Sequence, residues 1–195
     1  LYIFITQSGE TSDTIKSAQK VKELSNLATL CITNNEESTI WNLCDYRVAC
    51  YAGTEQGIAA TKSFTSQMLC LILISLKLVE KIHGDNATIG YKKSLFSLPA
   101  VVDKALAKRE DIKKLAAILA KENTIVITAD GISYSLAKEA ALKIKETSYK
   151  NISAAILGEF MHGHVAVLNN PSMLIYIAVD EISKRSVSNL NKIKE

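Results

Sequence analysis

The chain has 195 residues, of which 48% are hydrophobic and 22% charged, and its formal net charge is +3. This much apolar material can build a core, which excludes an intrinsically disordered chain. The length suits one large α/β domain or parts of two. The basic residues are spread along the chain rather than gathered in a stripe, so no nucleic-acid partner is expected.

The four cysteines show neither a metal-binding nor a redox pattern. They form no C-x-x-C pair and stand in apolar runs, at Cys31, Cys44, Cys50 and Cys70. A free thiol in such a run behaves as a small hydrophobic group, so we expect a reduced, cytoplasmic protein. The chain opens on an apolar run without a charged leader, and we therefore expect no signal peptide and a fragment of a longer protein.

The first half alternates short β-branched runs with helical periods. Residues 1–5, 27–33 and 46–51 are predicted as strands, and residues 11–24 and 58–82 as helices. The apolar run at 68–76 is too short to span the roughly 30 Å of hydrocarbon in a bilayer, and Lys77 follows it. We therefore predict a core helix here and no membrane partner.

The second half follows a polar, loop-like stretch at 84–90. Residues 91–121 have a helical period, in which Pro99 is predicted to mark a break or a helix start. Strands are then predicted at 124–128, 152–157 and 173–179, and helices at 133–150 and 183–194. Three strands are too few to complete a typical sheet.

This order of elements predicts an α/β fold of the doubly wound type. Strands that alternate with helices through short connections form a mostly parallel sheet, which helices cover on both faces. We place a helical linker at 84–121. It separates residues 1–83 from residues 122–195, and each of these segments is predicted to be part of its own module.

The segment 7–14 leaves the first strand and enters the first helix. Ligands of open α/β sheets bind at the carboxyl ends of the strands, and free amides at a helix N-terminus favour an anion. Gly9 lets the backbone approach a ligand closely, Gln7, Ser8 and Thr11 supply donors, and the segment contains no Lys or Arg. This pattern favours a phosphate held by amides and hydroxyls, although plain helix capping by Thr11 or its neighbour explains it equally well.

A charged stripe on the helix at 133–150 is the candidate for acid–base chemistry. Lys143 and Glu146 are three residues apart and share a helix face, and Glu139 lies one turn earlier. An ordinary solvated face explains this spacing. A carboxylate beside a cation also suits general acid–base proton transfer.

Two histidines stand close together at His162 and His164. Neither cysteines nor acidic residues accompany them at a spacing that metal sites use. We therefore predict neither a metal nor a cofactor.

Four segments, in order, resemble the SIS (sugar isomerase) domain family, and most of all its glutamine–fructose-6-phosphate aminotransferase branch. They are QSGETSDT at 7–14, AGTEQGIAATKSF at 52–64, EAALKIKETSY at 139–149 and GEFMHG at 158–163. They extend over nearly the whole chain. The resemblance implies a flavodoxin-like αβα sandwich of the SIS type, with parts of two tandem SIS modules.

The resemblance also implies roles for single residues. It makes Glu146 the shuttle of the C1/C2 proton, Lys143 the group that handles the oxygen-bound proton, and His162 the ring-opening residue, which the family supplies from the partner subunit of a homodimer. The implied ligand is a hexose 6-phosphate or hexosamine 6-phosphate. The residues implied to bind it are Thr6, Gln7, Ser8, Gly9, Thr11, Ile58 through its backbone, Ala60 and Thr61.

Some positions leave alternatives open. Glu55 either bonds a sugar hydroxyl or stabilises the following helix. The family usually has Ser where this chain has Thr6 and Ala60, and Pro where it has His164. A first strand with its sugar loop and a final lysine segment are also expected outside residues 1–195, so we expect the chain to be incomplete for catalysis.

The function predicted from these features is the isomerase region of a synthase-type aminotransferase, which interconverts ketose and aldose forms of fructose 6-phosphate and glucosamine 6-phosphate. A stand-alone phosphosugar isomerase or aminosugar-phosphate deaminase is the first alternative. A phosphosugar-sensing regulatory module is the second. The presence of both Glu146 and His162 favours an enzyme, because a sensor needs no acid–base pair.

Overall fold

A computed structural model describes residues 1–168, 172–179 and 181–194. They form two compact units, Leu1–Ala100 and Val101–Glu195. Each unit contains a three-stranded sheet in which every neighbouring pair of strands is parallel. The predicted α/β class with parallel sheets is therefore confirmed.

The first unit follows a strand–helix alternation. Its elements are β1 (Tyr2–Ile5), α1 (Ser12–Leu24), β2 (Thr29–Thr33), α2 (Thr39–Leu43), β3 (Tyr46–Ala49), α3 (Lys62–His83), a 3₁₀ helix (Asp85–Thr88) and α4 (Ile89–Leu106), which runs across the boundary between the units. The strand order is β1-β2-β3. Phe4 lies opposite Cys31, and Cys31 lies opposite Arg47. All three strands therefore end at the same edge of the sheet.

Apolar side chains cover this sheet on both faces. On one face, Phe4 and Cys31 pack with Ala18 of α1 and Ile40 of α2. On the other face, the side chain of Ile32 packs with those of Cys50 and Cys70, the latter from α3. Successive residues of β2 thus face opposite layers, and β2 reads as a continuous apolar run because both of its faces are buried.

The second unit has β4 (Thr124–Ala129) at the centre of its sheet, in the order β5-β4-β6. It also contains α5 (Arg109–Leu119), α6 (Ser133–Ser148), β5 (Asn151–Ile156), 3₁₀ helices at Leu157–His162 and His164–Val167, β6 (Ser172–Ile177) and α7 (Lys184–Lys194). Ile125 and Ile127 pack with Ala137 and Ala141 of α6 on one face. Val126 packs with Phe160 on the other.

Several details differ from the sequence-based prediction. Helix α2, five residues long, was not predicted because so short a segment shows no helical period. Pro99 lies inside α4 instead of breaking or starting a helix. The helical run predicted at 91–121 is interrupted after Leu106 instead, where the Lys108 amide bonds only to the nearby Ala105 carbonyl at 3.1 Å. The next helix then begins with Glu110 and Asp111 in its first turn, where negative charge favours a helix start.

A buried carboxylate accounts for the structure of the stretch at 84–90, which was predicted as a loop. The Glu80 side chain is only 3% exposed and lies 3.3 Å from Lys77. It also pairs with Lys92 and accepts a hydrogen bond from Thr88. Lys92, followed by Thr88, lowers the pKa of Glu80 to about 2 despite burial. This network ties the end of α3 to the start of α4, so helical structure resumes at once.

Helix α3 packs on the sheet along one side, through Cys70 and the half-buried Leu71 and Ile74. Among the described residues it is the one helix that is long and apolar enough to cross a membrane by length and composition. A core helix that passes the same test is mostly buried, whereas only 11% of the apolar window of α3 is buried, so the prediction of a core helix holds only for the side that packs on the sheet. The absence of a membrane partner therefore stays a prediction.

Candidate functional site: the strand-end loops and the α6 charge cluster

The 7–14 loop lies at the carboxyl end of β1 and enters α1. Thr6, just before it, is buried and joins its hydroxyl to that of Thr11 at 2.8 Å. The Thr6 hydroxyl also accepts a hydrogen bond from the Gly9 amide at 3.3 Å, and the Ser8 hydroxyl accepts one from the Glu10 amide at 3.1 Å. The structure therefore brings Thr6, Ser8, Gly9 and Thr11 together in one tight turn.

Gly9 allows this turn for two separate reasons. Its φ of +73° lies in the left-handed region that favours glycine. A Cβ atom at this position would also meet the Ser38 Oγ at 2.1 Å. The loop backbone thus packs directly against the segment that leads into α2.

Plain side-chain capping by Thr11, the alternative to an anion site, does not occur. Thr11 holds the N-cap position of α1, but its side chain makes no capping hydrogen bond. In the part of the chain that the structure describes, no other side chain accepts from the first-turn amides of Ser12, Asp13 and Thr14. Ser12 and Asp13 are exposed, so water satisfies these amides in the free chain, and an anion at the loop would replace that water.

Asn34 joins the ends of the three strands in the first unit. Its backbone amide donates to the Gln7 carbonyl at 3.1 Å. Its side chain donates to the Gly53 carbonyl at 2.7 Å and accepts from the Ala52 amide at 2.8 Å. The loops that follow β1, β2 and β3 are therefore held together at the edge where ligands of such sheets bind.

Glu55 stabilises the start of α3, which was one of the two roles considered for it. Its carboxylate accepts hydrogen bonds from the amide and hydroxyl of Thr61, both at 3.2 Å, and from those of Ser63, at 3.0 and 2.6 Å. The Ser63 bonds, with help from Thr61, lower the pKa of Glu55 to about 2. Because Thr61 and Ser63 engage the carboxylate, α3 begins at Lys62 and not at the predicted position 58.

The remaining predicted sugar-binding residues lie just before α3. Ile58 has 91% of its surface exposed, Ala60 is half-buried and Thr61 is exposed. The Thr61 hydroxyl is engaged by Glu55, while the backbone at Ile58 and Ala60 is outside any regular element. This segment can present backbone groups to a ligand without unfolding a helix.

The acid–base candidates meet on one face of α6 in the second unit. The Lys143 ammonium lies 3.1 Å from a Glu146 carboxylate oxygen and 3.4 Å from one of Glu139. Burial disfavours the ammonium, but the bond to Glu146 and the charge of Glu139 outweigh it and raise the pKa of Lys143. Lys143 is therefore charged at neutral pH, with about a quarter of its side chain exposed.

His162 closes the 3₁₀ helix Leu157–His162, and its side chain is exposed. The fully buried Phe160 anchors this helix to the sheet, and the ring of Phe160 stacks on that of His164 with 6.1 Å between centroids. The described residues contain no group of three or more His, Cys, Asp or Glu side chains that could hold a metal ion.

Four polar residues of the site were not identified from the sequence. Thr33, Asn34, Ser38 and Thr39 all contact the 7–14 loop through hydrogen bonds or close packing. The available signal was the polar run directly after β2, since neighbouring parallel strands end at the same sheet edge.

Comparisons with known proteins agree with this architecture. The family model of the SIS domain matches residues 1–76 and 118–195. The chain is 32% identical, over its full length, to the isomerising glutamine–fructose-6-phosphate aminotransferase of Pseudomonas aeruginosa. It is 33% identical, over 99% of its length, to the corresponding protein of Legionella pneumophila. It spans 32% of the length of each of these relatives.

Solved structures show the same fold. The C-terminal domain of glucosamine-fructose-6-phosphate aminotransferase from Francisella tularensis superposes with a TM-score of 0.92 at 30% identity, covering 98% of this chain and 55% of that one. Glucosamine-6-phosphate deaminase from Thermotoga maritima superposes with a TM-score of 0.77 at 22% identity, covering 98% and 56%. This chain belongs to the SIS domain family, as the resemblance of its four segments implied.

Proposed function

We propose that this chain is the phosphosugar-binding isomerase region of an aminosugar-phosphate enzyme of the synthase type. The observation that carries this proposal is the 7–14 loop, whose hydroxyls are gathered while the first-turn amides of α1 have no side-chain acceptor among the described residues. The relatives that match the full chain are named as isomerising aminotransferases. The substrate would be fructose 6-phosphate or glucosamine 6-phosphate.

The 7–14 loop would hold the phosphate without a cationic side chain. Backbone amides at a helix N-terminus and neutral hydroxyls stabilise an anion through oriented dipoles. Ser8 and Thr11 are two of the exposed hydroxyl residues of the loop, and Gln7 adds an amide. Gly9 keeps the backbone close to the ligand. In the segment before α3, Ile58 through its backbone, Ala60 and Thr61 would contact the sugar.

The charge cluster on α6 would carry out the isomerisation. Glu146 would remove a proton from one of the carbons C1 and C2 of the open sugar and return it to the other. Lys143 would stabilise the oxyanion that forms on the sugar and would handle the proton bound to that oxygen. The bonds from Lys143 to Glu139 and Glu146 fix the ammonium on this face. His162 would assist ring opening.

We further propose how the chain is organised in the whole protein. Residues 1–83 would be the C-terminal part of a first SIS module, 84–121 a helical linker, and 122–195 the N-terminal part of a second. The protein would act as a cytoplasmic homodimer in which each subunit lends His162 to the other. Light scattering of the intact protein tests whether it is a dimer. Mixing Glu146→Gln subunits with His162→Ala subunits tests the shared site, because one site of the mixed dimer has both residues and should regain activity.

The binding experiment uses thermal shift and calorimetry with glucosamine 6-phosphate and fructose 6-phosphate. Both ligands should raise the melting temperature, and Ser8→Ala combined with Thr11→Ala should abolish the shift. Ser17→Ala is the matched control, because its hydroxyl lies on α1 outside the loop and bonds only the Asp13 carbonyl. A wild-type chain that responds to no hexose phosphate would refute the proposed site.

The chemical experiment follows exchange of the C1/C2 protons with deuterated water in the intact protein. Glu146→Gln should stop exchange while sugar binding stays within about twofold, since the amide is isosteric. Glu139→Gln is the matched control, because Glu139 also pairs with Lys143 but has no proposed proton to move. Equal exchange in wild type and Glu146→Gln would remove Glu146 from the mechanism.

The deaminase and stand-alone isomerase alternatives differ from the main proposal in their products. Fructose 6-phosphate formed from glucosamine 6-phosphate without glutamine indicates a deaminase. Binding without any exchange in the intact protein favours a phosphosugar sensor.

A further inference from the structure

We propose that Glu10 is a positioning residue: by bracing on Thr39 it holds the 7–14 loop in its anion-binding shape and turns its own charge away from the phosphate. This inference rests on the proposed function. It assigns a role to a motif residue that the sugar-binding set does not include. It also brings Thr39, outside every motif, into the site.

The brace uses both oxygens of the carboxylate. Glu10 Oε1 accepts from the Thr39 amide at 2.7 Å, and Glu10 Oε2 accepts from the Thr39 hydroxyl at 2.8 Å. Donor and acceptor are separated by 29 residues, so these bonds join the loop after β1 to the start of α2. Thr39 also lowers the pKa of Glu10 through these two bonds, so the carboxylate is ionised at neutral pH.

The rest of the loop is attached to the same segment by backbone bonds. The Gly9 carbonyl accepts from the Ile40 amide at 3.2 Å, next to the Thr39 contact. At its other end, the Gln7 carbonyl accepts from the Asn34 amide. Between these two points, the backbone of Gly9 is packed against the buried Ser38. Glu10 thus adds two side-chain bonds where the loop turns from the Gly9 contact towards α1.

Electrostatics explains why the direction of this side chain matters. Glu10 stands between Gly9 and Thr11, inside a loop proposed to hold a doubly charged phosphate. A free carboxylate there would repel the ligand, because like charges at short range disfavour each other. With both oxygens engaged by Thr39, the charge points to α2 and the loop amides are left to the ligand. The same two bonds from Thr39 to Glu10 therefore both hold the loop and place the charge of Glu10.

The test compares the affinity for glucosamine 6-phosphate of the wild-type chain with that of its variants. Glu10→Ala should weaken binding about 3- to 30-fold, the range expected for losing charge-assisted hydrogen bonds that order a loop. Glu10→Gln should stay within about twofold of wild type. Its amide oxygen can still accept from the Thr39 amide, and its nitrogen can donate to the Thr39 hydroxyl. Glu37→Ala is the matched control, an exposed glutamate of the same segment, and should leave affinity unchanged.

Thr39→Val supplies the coupling measurement. It removes the bond to Oε2 and leaves the backbone bond, so it should weaken binding less than Glu10→Ala. In the Glu10→Ala background the same change should have no further effect, because its partner is gone. Additive losses would show that the two residues act separately and would overturn the brace.

Hydrogen exchange of the Thr39 amide measures, without any ligand, whether its bond to Glu10 is formed. Protection should fall in Glu10→Ala and persist in Glu10→Gln, while the melting temperatures of both stay close to that of Glu37→Ala. Wild-type affinity in Glu10→Ala, or a loss in Glu10→Gln as large as in Glu10→Ala, would overturn the positioning role. If the wild type binds no hexose phosphate, the proposed function fails and the positioning role fails with it. The exchange data then still show whether the Glu10–Thr39 contact exists.

Discussion

Replacing Gly9 with alanine tests how closely the 7–14 loop is packed. The substitution adds one methyl group to a buried backbone position with φ of +73°. An ideal Cβ there would lie 2.1 Å from the Oγ and 2.3 Å from the Cβ of Ser38. Ser38 is 1% exposed, and its hydroxyl donates to the Asn35 carbonyl at 2.7 Å. It therefore has no free space into which to move.

Two costs contribute to the expected loss of stability. A left-handed backbone costs a non-glycine residue about 1–2 kcal/mol. Overpacking of a filled site costs about 1–3 kcal/mol more. Gly9→Ala should therefore lower the free energy of unfolding by about 2–5 kcal/mol, and it should also weaken sugar-phosphate binding by displacing the loop from the segment that supports it.

Gly53→Ala separates the two costs. Gly53 lies in the same unit with a similar φ of +68°, but the nearest atom to its added Cβ is the flexible Lys62 Nζ at 4.0 Å. Gly53→Ala should therefore lower the free energy of unfolding only by the cost of backbone strain, about 1–2 kcal/mol. Urea unfolding followed by the fluorescence of the single tryptophan, Trp41 of α2, measures both variants. Combining Gly9→Ala with Ser38→Gly should recover part of the loss.

Equal losses in Gly9→Ala and Gly53→Ala would refute this reasoning. They would mean that the region around Ser38 yields at no cost, so the loop would not be held by close packing. The absence of any recovery with Ser38→Gly would point to the same conclusion.

Three further predictions concern carboxylate, core and thiol groups. The pKa of Glu55 is lowered to about 2. The ionised carboxylate therefore stabilises the fold fully above pH 4.5, the ordinary pKa, and this stabilisation is lost as the pH falls through about 2. Glu55→Gln should flatten the pH dependence of urea unfolding in this window, and an unchanged profile would contradict the capping role. Phe160→Ala should lower the free energy of unfolding by about 3–5 kcal/mol, whereas Phe96→Ala, at a position 88% exposed, should change it by less than about 0.5 kcal/mol. Burial raises the pKa of Cys31 to about 11 and of Cys50 to about 12, so iodoacetamide should label both slowly in the native chain and rapidly in urea; fast native labelling would show that these packed layers open.

Much of the fold could be predicted from local pattern. The apolar run at 124–128 was predicted as a buried strand, and β4 occupies Thr124–Ala129 with both faces covered. The predicted helices at 11–24 and 133–150 also correspond to α1 and α6 within two residues. Such segments are predictable because a period of two or 3.6 residues, or a continuous apolar run, reflects which faces are buried.

Other boundaries depended on contacts between distant residues. Helix α3 begins at Lys62 because Glu55 engages Thr61 and Ser63. The stretch after α3 is helical because Glu80 binds Thr88 and Lys92. Neither effect leaves a periodic signal, since each depends on one carboxylate reaching across a turn.

The sequence by itself determined the parallel α/β class, the position of the 7–14 loop at the end of a strand, and the shared helix face of Lys143 and Glu146. These follow from spacing along one element. Only the tertiary structure decided that Thr11 leaves the first-turn amides of α1 uncapped, that Asn34 joins three strand ends, and that Glu10 bonds Thr39. Side-chain direction is set by partners many residues away, which parallel pairing of strands brings to one edge and no local pattern records.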